Sequence, residues 1–78
     1  MPRQVALSEM TAGETGTVAA IHGGRGIHQR LQSLGIRPGV QVTKVTGSFA
    51  AGPIVVGHGQ TQTALGRGIC HKVLVDIP

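Results

Sequence analysis

The segment from Arg25 to Gly39 constrains the fold more than any other. Ile27, Leu31 and Leu34 stand at i, i+4 and i+7, the spacing of one apolar helical face, and predict a helix over Arg25–Leu34. Gly35 follows at once and can take the left-handed backbone that ends a helix. Ile36 then stands where a Schellman cap needs an apolar contact back onto the last turn. Pro38-Gly39 forms a turn through which no helix continues. One brief helix, stopped hard, leaves most of a 78-residue chain to be extended.

The rest reads as short strands between glycines. Thr15–His22 (TGTVAAIH) is a β-branched and small-residue strand running into Gly23-Gly24. Val40–Thr46 alternates at first and then sets Val45 one step out of phase, which predicts a bulge. Gly47–Pro53 is a loop. Ile54–Val56 and Thr61–Leu65 make a hairpin around Gly57-His58-Gly59. Gly66-Arg67-Gly68 interrupts the chain again, and Lys72–Ile77 closes it with Val73, Val75 and Ile77 alternating. Thirteen glycines, more than twice the average usage of about 7 %, fit many turns and short strands. The expected fold class is mainly β: a small, strongly bent five-stranded barrel with one short α-helix inserted after the first strand. Such a barrel removes exposed sheet edges. No repeat or linker divides residues 1–78, and a chain of 8.0 kDa suits a single domain that hides only about 60 % of its unfolded surface.

Composition excludes several classes. Apolar residues make up 40 % and charged ones 13 %, too hydrophobic a balance for a disordered polyelectrolyte. No apolar run approaches the roughly 18 residues of a membrane span, and Met1-Pro2-Arg3-Gln4-Val5 lacks the apolar stretch of a signal peptide. A lone cysteine makes no internal bridge, so the cytoplasm is the expected compartment. The formal charge of +4 invites a nucleic-acid reading. Arg3, Arg25, Arg30, Arg37, Lys44, Arg67 and Lys72 are nevertheless scattered singly, and Phe49 is the only aromatic, so no platform exists for stacking bases. No nucleic-acid partner is expected.

Side chains able to carry chemistry are few. Glu9, Glu14 and Asp76 are the only carboxylates; far apart in sequence, they argue against paired acid/base work, and only Asp76 is left to orient a histidine in a nucleophile relay. No enzyme is expected. Metal candidates are His22, His28, His58, Cys70 and His71. Adjacent Cys70 and His71 diverge on either a strand or a helix, and no Cys-x-x-Cys or His-x-x-x-His spacing occurs, although barrel closure could bring His22 near His58. Cys70 also reads as a small buried hydrophobe. Ile21-His22-Gly23-Gly24-Arg25-Gly26 runs from strand to helix, where a phosphate loop would lie, yet it satisfies neither of the glycine-rich phosphate motifs; its glycines more simply permit a sharp turn.

The order of parts resembles the FeoA family of small cytoplasmic proteins of bacterial ferrous iron uptake. The likeness rests on Arg30-Leu31-x-x-Leu34-Gly35-Ile36-x-Pro38-Gly39, on Leu7-Ser8-x-Met10-x-x-Gly13-Glu14-x-Gly16-x-Val18, on Gly52-Pro53-Ile54 and on Ala64-Leu65-Gly66-Arg67. It runs from about Leu7 to Val75. Cys70 departs from it, standing where a small residue such as alanine is expected, as does the glycine-rich Gly57-His58-Gly59. The resemblance implies an SH3-like barrel that works with FeoB, a large membrane protein with a cytoplasmic GTP-binding domain. A similar barrel forms the C-terminal domain of DtxR-type iron-dependent repressors. No cofactor is then required, Fe²⁺ or another divalent transition metal is the candidate ion, and contact with the membrane runs only through the partner. Arg25 and Arg67, each within a Gly-Arg-Gly triplet, become candidate partner contacts, one of them as an arginine finger in trans or both simply as exposed turn residues. Phe49 is either an interface anchor or the plug of the barrel core. The rival readings are a nucleic-acid-binding or repressor-type barrel and a direct metal carrier.

Overall fold

The computed structural model describes residues 2–45 and 52–78. Six strands, β1 (Arg3–Ala6), β2 (Thr15–Ile21), β3 (Gln41–Lys44), β4 (Ile54–His58), β5 (Thr61–Leu65) and β6 (Val73–Ile77), form one antiparallel sheet in the order β1-β6-β2-β3-β4-β5. Helix α1 (Arg25–Ser33) joins β2 to β3, a single turn α2 (Arg67–Cys70) joins β5 to β6, and a 3₁₀ turn, Leu7–Glu9, follows β1. Extents of 30 × 28 × 23 Å show a sheet rolled on itself around one core. Leu7, Val18, Leu31, Val42, Val56 and Val75 are among the side chains sealed inside it.

The helix ends as its residues require. Gly35 has φ +87°, its N–H donates to Gln32 O at 3.0 Å, and the Ile36 N–H donates to Leu31 O at 2.9 Å. These are the two bonds of a Schellman cap, and Ile36 is fully buried behind them. Val40 N–H donates to Arg37 O at 3.1 Å while Gly39 takes φ +95°, a turn with proline and glycine at its two central positions. The chain is thereby returned to the sheet, where β3 pairs with β2 from Thr15↔Thr43 to Thr17↔Gln41.

Several details differ from the expectation. The sheet has six strands, not five: β1 carries a single large apolar residue, Val5, and pairs only with β6, from Arg3↔Ile77 to Ala6↔Leu74. The helix therefore follows the second strand. Gly66-Arg67-Gly68 opens helix α2; sealing Cys70 in the core outweighs the helix cost of Gly68. The hairpin turn shrinks to Gly59-Gln60, because β4 runs on to His58, opposite Thr61. Finally, the hydrogen-bonded ladder begins at β1 and ends at β5, so two sheet edges remain where full closure was expected.

The bulge lies elsewhere as well. Register slips in β2 between Val18 and Ala20 against β6, whereas β3 keeps its phase. Val42 and Lys44 both point inward, and the position that seemed to skip is filled by a buried lysine, only 2 % exposed. Gly16 marks the tightest crossing: a Cβ there would sit 2.6 Å from Asp76 O and 2.5 Å from Val75 Cγ1, so only glycine lets β2 lie this close to β6.

Candidate functional site

The sequence-derived candidates are dispersed over the molecule. His22 is exposed just past β2, its N–H donating to Lys72 O at 2.7 Å, and His28 is exposed on α1. His58 is buried at the end of β4; its Nε2 lies 3.0 Å from Thr63 Oγ1, and its ring lies beside the backbone of Gly35. Cys70 is fully buried at the end of α2 while His71, the next residue, faces outward. Among the described residues no three His, Cys, Asp or Glu side chains gather as a metal site. Phe49 lies outside the described residues.

Cys70 and His71 show how neighbours in sequence acquire unrelated chemistry. Burial pushes the Cys70 thiol up to about 11, and the positive charges of Lys44 and Arg67, which pull the other way, do not offset it. Such a thiol is protonated at neutral pH and a poor nucleophile. His71 Nδ1 lies 2.6 Å from Ser8 Oγ, tying α2 to the 3₁₀ turn. Asp76, the one carboxylate available to complete a relay, instead accepts from Gln4 Nε2 at 3.1 Å.

Lys44 is the polar residue that scattered-charge reasoning missed. Its Nζ donates to Met10 O at 2.7 Å and Ser8 O at 3.1 Å, holding the segment after β1 onto β3. The alternation of Val40, Val42 and Lys44 is the signal that could have found it. At the same end of the sheet Arg3 pairs with Glu14. The Glu14 carboxyl is held below the usual carboxylate range by the Thr11 backbone N–H and then by the Arg3 guanidinium.

Two surfaces remain. A groove of about 580 Å³ lies across β3 and the β4–β5 hairpin, with Thr43, Val45, Gly57 and His58 among its lining residues. The second is α1 with its flanking turns. Arg25 and Arg30 are exposed on the helix, Arg37 is exposed beyond its cap, and the Lys72 side chain reaches to Gly23 just before it. The other candidate arginine, Arg67, is half-buried at the start of α2.

A rolled antiparallel sheet with a helix between its second and third strands is an SH3-like barrel, and solved structures share it along almost the whole chain. The FeoA domain family matches residues 5–77, and the chain belongs to that family. It is 34 % identical to an iron uptake regulatory protein, FeoA, over 96 % of this chain and 99 % of that one, with a TM-score of 0.85. It is 31 % identical to Stenotrophomonas maltophilia FeoA, crystallised with zinc, at a TM-score of 0.78 over 90 % and 87 % of the two chains. That protein is described as a procaryotic SH3 domain protein proposed to activate bacterial ferrous iron transport. A manganese-dependent transcriptional repressor matches the whole of this chain with 44 % of its own length, at 25 % identity and a TM-score of 0.88. Comparison with curated protein sequences yields no significant match.

Proposed function

We propose that this protein is a non-catalytic accessory regulator of bacterial ferrous iron uptake, acting from the cytoplasmic side by docking on the membrane GTPase transporter FeoB. The observation that carries this reading is the match, over 96 % of this chain and 99 % of the other, to an iron uptake regulatory protein of the same fold. No helix among the described residues is long and apolar enough to cross a membrane, which suits a protein that reaches the membrane through a partner. The mode of action is conformational: the barrel binds the GTPase-bearing protein and biases its state through a modest, transient interface.

Capture of the tagged protein on FeoB-containing membranes, with a change in GTP hydrolysis, is the expected result; absence of both overturns the proposal. Arg25→Ala and Arg67→Ala separate docking from an arginine finger. Loss of stimulated hydrolysis with retained capture identifies a finger, and equal losses of both identify a docking contact. A second reading, direct metal carriage, is favoured by the zinc complex of the Stenotrophomonas maltophilia protein. Titration with Fe²⁺ or Zn²⁺ decides it: a stoichiometric, pH-dependent signal lost in His22→Ala or His71→Ala supports carriage.

A further inference from the structure

The chain has no Asp or Glu from residue 15 to residue 75. Each of its three carboxylates is engaged away from α1: Glu14 with Arg3, Asp76 with Gln4, and Glu9 with the Ala6 N–H. Among the described residues no ion pair involves Arg25, Arg30, Arg37 or Lys72. The β2–β6 ladder separates the two populations. Asp76 stands opposite Thr17, four residues from the Ile21↔Val73 end that leads to α1 and Lys72, roughly 13 Å at about 3.3 Å per residue. His22 and His28 lie at the cationic end.

Folding does not account for these cations. Arg25 occupies the first position of α1, where the helix dipole disfavours positive charge, with glycine as its cap and no acid in the first turn. The positions that a helix would use to pair them are filled by Gly26, four before Arg30, and Gln29, four after Arg25, rather than by glutamate. A local rule broken without internal compensation points outward.

We infer that α1 and its flanking turns, which carry the exposed Arg25, Arg30, Arg37 and Lys72, form a docking surface for a carboxylate-rich segment of a protein partner. The inference deepens the docking reading, and rests on it only in expecting that partner to be a protein. Three of the four cations are arginine, whose planar fork matches carboxylates in pairs. A lipid surface fits less well: Ile27 and Leu34 pack against the core, leaving α1 no apolar anchor. Single-stranded nucleic acid fits less well because no aromatic accompanies the cations on α1 or its turns.

A fluorescent Glu/Asp-rich peptide and its Gln/Asn counterpart test the surface by anisotropy across a salt series. The acidic peptide is expected to bind, and the combined variant Arg25→Gln, Arg30→Gln, Arg37→Gln, Lys72→Gln to bind it at least about tenfold more weakly with a flatter salt dependence. Arg3→Gln, at the paired end, serves as the control and leaves binding unchanged. Because all four cations are exposed, the combined variant keeps its unfolding midpoint. Undiminished peptide binding by that variant overturns the inference, as does tighter wild-type binding to phosphatidylserine vesicles or to a DNA duplex. If the variant is still captured on FeoB membranes, this face is not the dock although docking stands. If wild type is not captured, docking on FeoB fails while the peptide titration still decides the face.

Discussion

The two ends of the β2–β6 ladder use charge in opposite ways. At the Asp76 end Arg3 meets Glu14, Gln4 meets Asp76, and Lys44 is sealed in with two backbone carbonyls. At the α1 end, among the described residues, no ion pair involves the cations, and Arg25, Arg30, Arg37 and Lys72 are all exposed, as are His22 and His28. Charge at the first end belongs to the fold, because a buried or half-buried ion needs its partners to be tolerated at all. Charge at the second end is spare. Substitutions should therefore damage stability at one end and binding at the other.

Lys44→Ala is the most severe test. It strands the carbonyls of Ser8 and Met10 and empties the space of a long stem, so a loss of about 3 kcal/mol is expected in urea unfolding. That is a large fraction of the total for a domain this small. Lys44→Met, which restores the stem but not the bonds, should recover part of it. Gly16→Ala comes next, at about 2 kcal/mol, since the new methyl meets the backbone oxygen of Asp76, which cannot swing aside. If either variant unfolds like wild type, the paired end is not what holds β2, β3 and β6 together.

The fold was legible in the sequence wherever one residue type had one physical use. Gly35 before Ile36, and Pro38 before Gly39, admit few conformations, and the structure contains the cap and the turn they specify. Legibility failed where tertiary burial overrode local preference. β1 has too little apolar pattern to announce itself and exists because β6 offers it an edge. α2 forms in spite of Gly68 because Cys70 must be covered. Lys44 stands among the scattered cations of the sequence, although its period-2 phase with Val42 places it inside. The basic residues seemed scattered for a related reason: Lys72 is far from Arg25 in sequence, and only the β2–β6 pairing brings it beside α1.

Smaller effects sharpen the contrast. Thiol reagents should modify Cys70 about a hundredfold more slowly than an unfolded-chain cysteine at mildly alkaline pH, with urea restoring the rate. Its raised value in the folded state also means that its share of stability is complete below about pH 9 and lost as pH climbs toward about 11. Glu14 has the opposite sign. Its lowered carboxyl stabilises the fold above the ordinary carboxylate range, and that share disappears as pH falls through the lowered value. Glu14→Gln should flatten the acid limb of a stability–pH profile. The smallest shift belongs to the spare cations: Arg25→Gln or Arg30→Gln should move the unfolding free energy by no more than about 0.5 kcal/mol, and a larger loss in either would mean that the α1 face serves the fold after all.

The pairing of Arg3 with Ile77 has a consequence for how such a barrel travels between proteins. Its entrance and exit face each other across one rung of a ladder, so the unit can be spliced into a longer polypeptide at a single point without stretching its host. A repressor that devotes 44 % of its length to the same architecture shows the barrel carried as one part of a longer polypeptide.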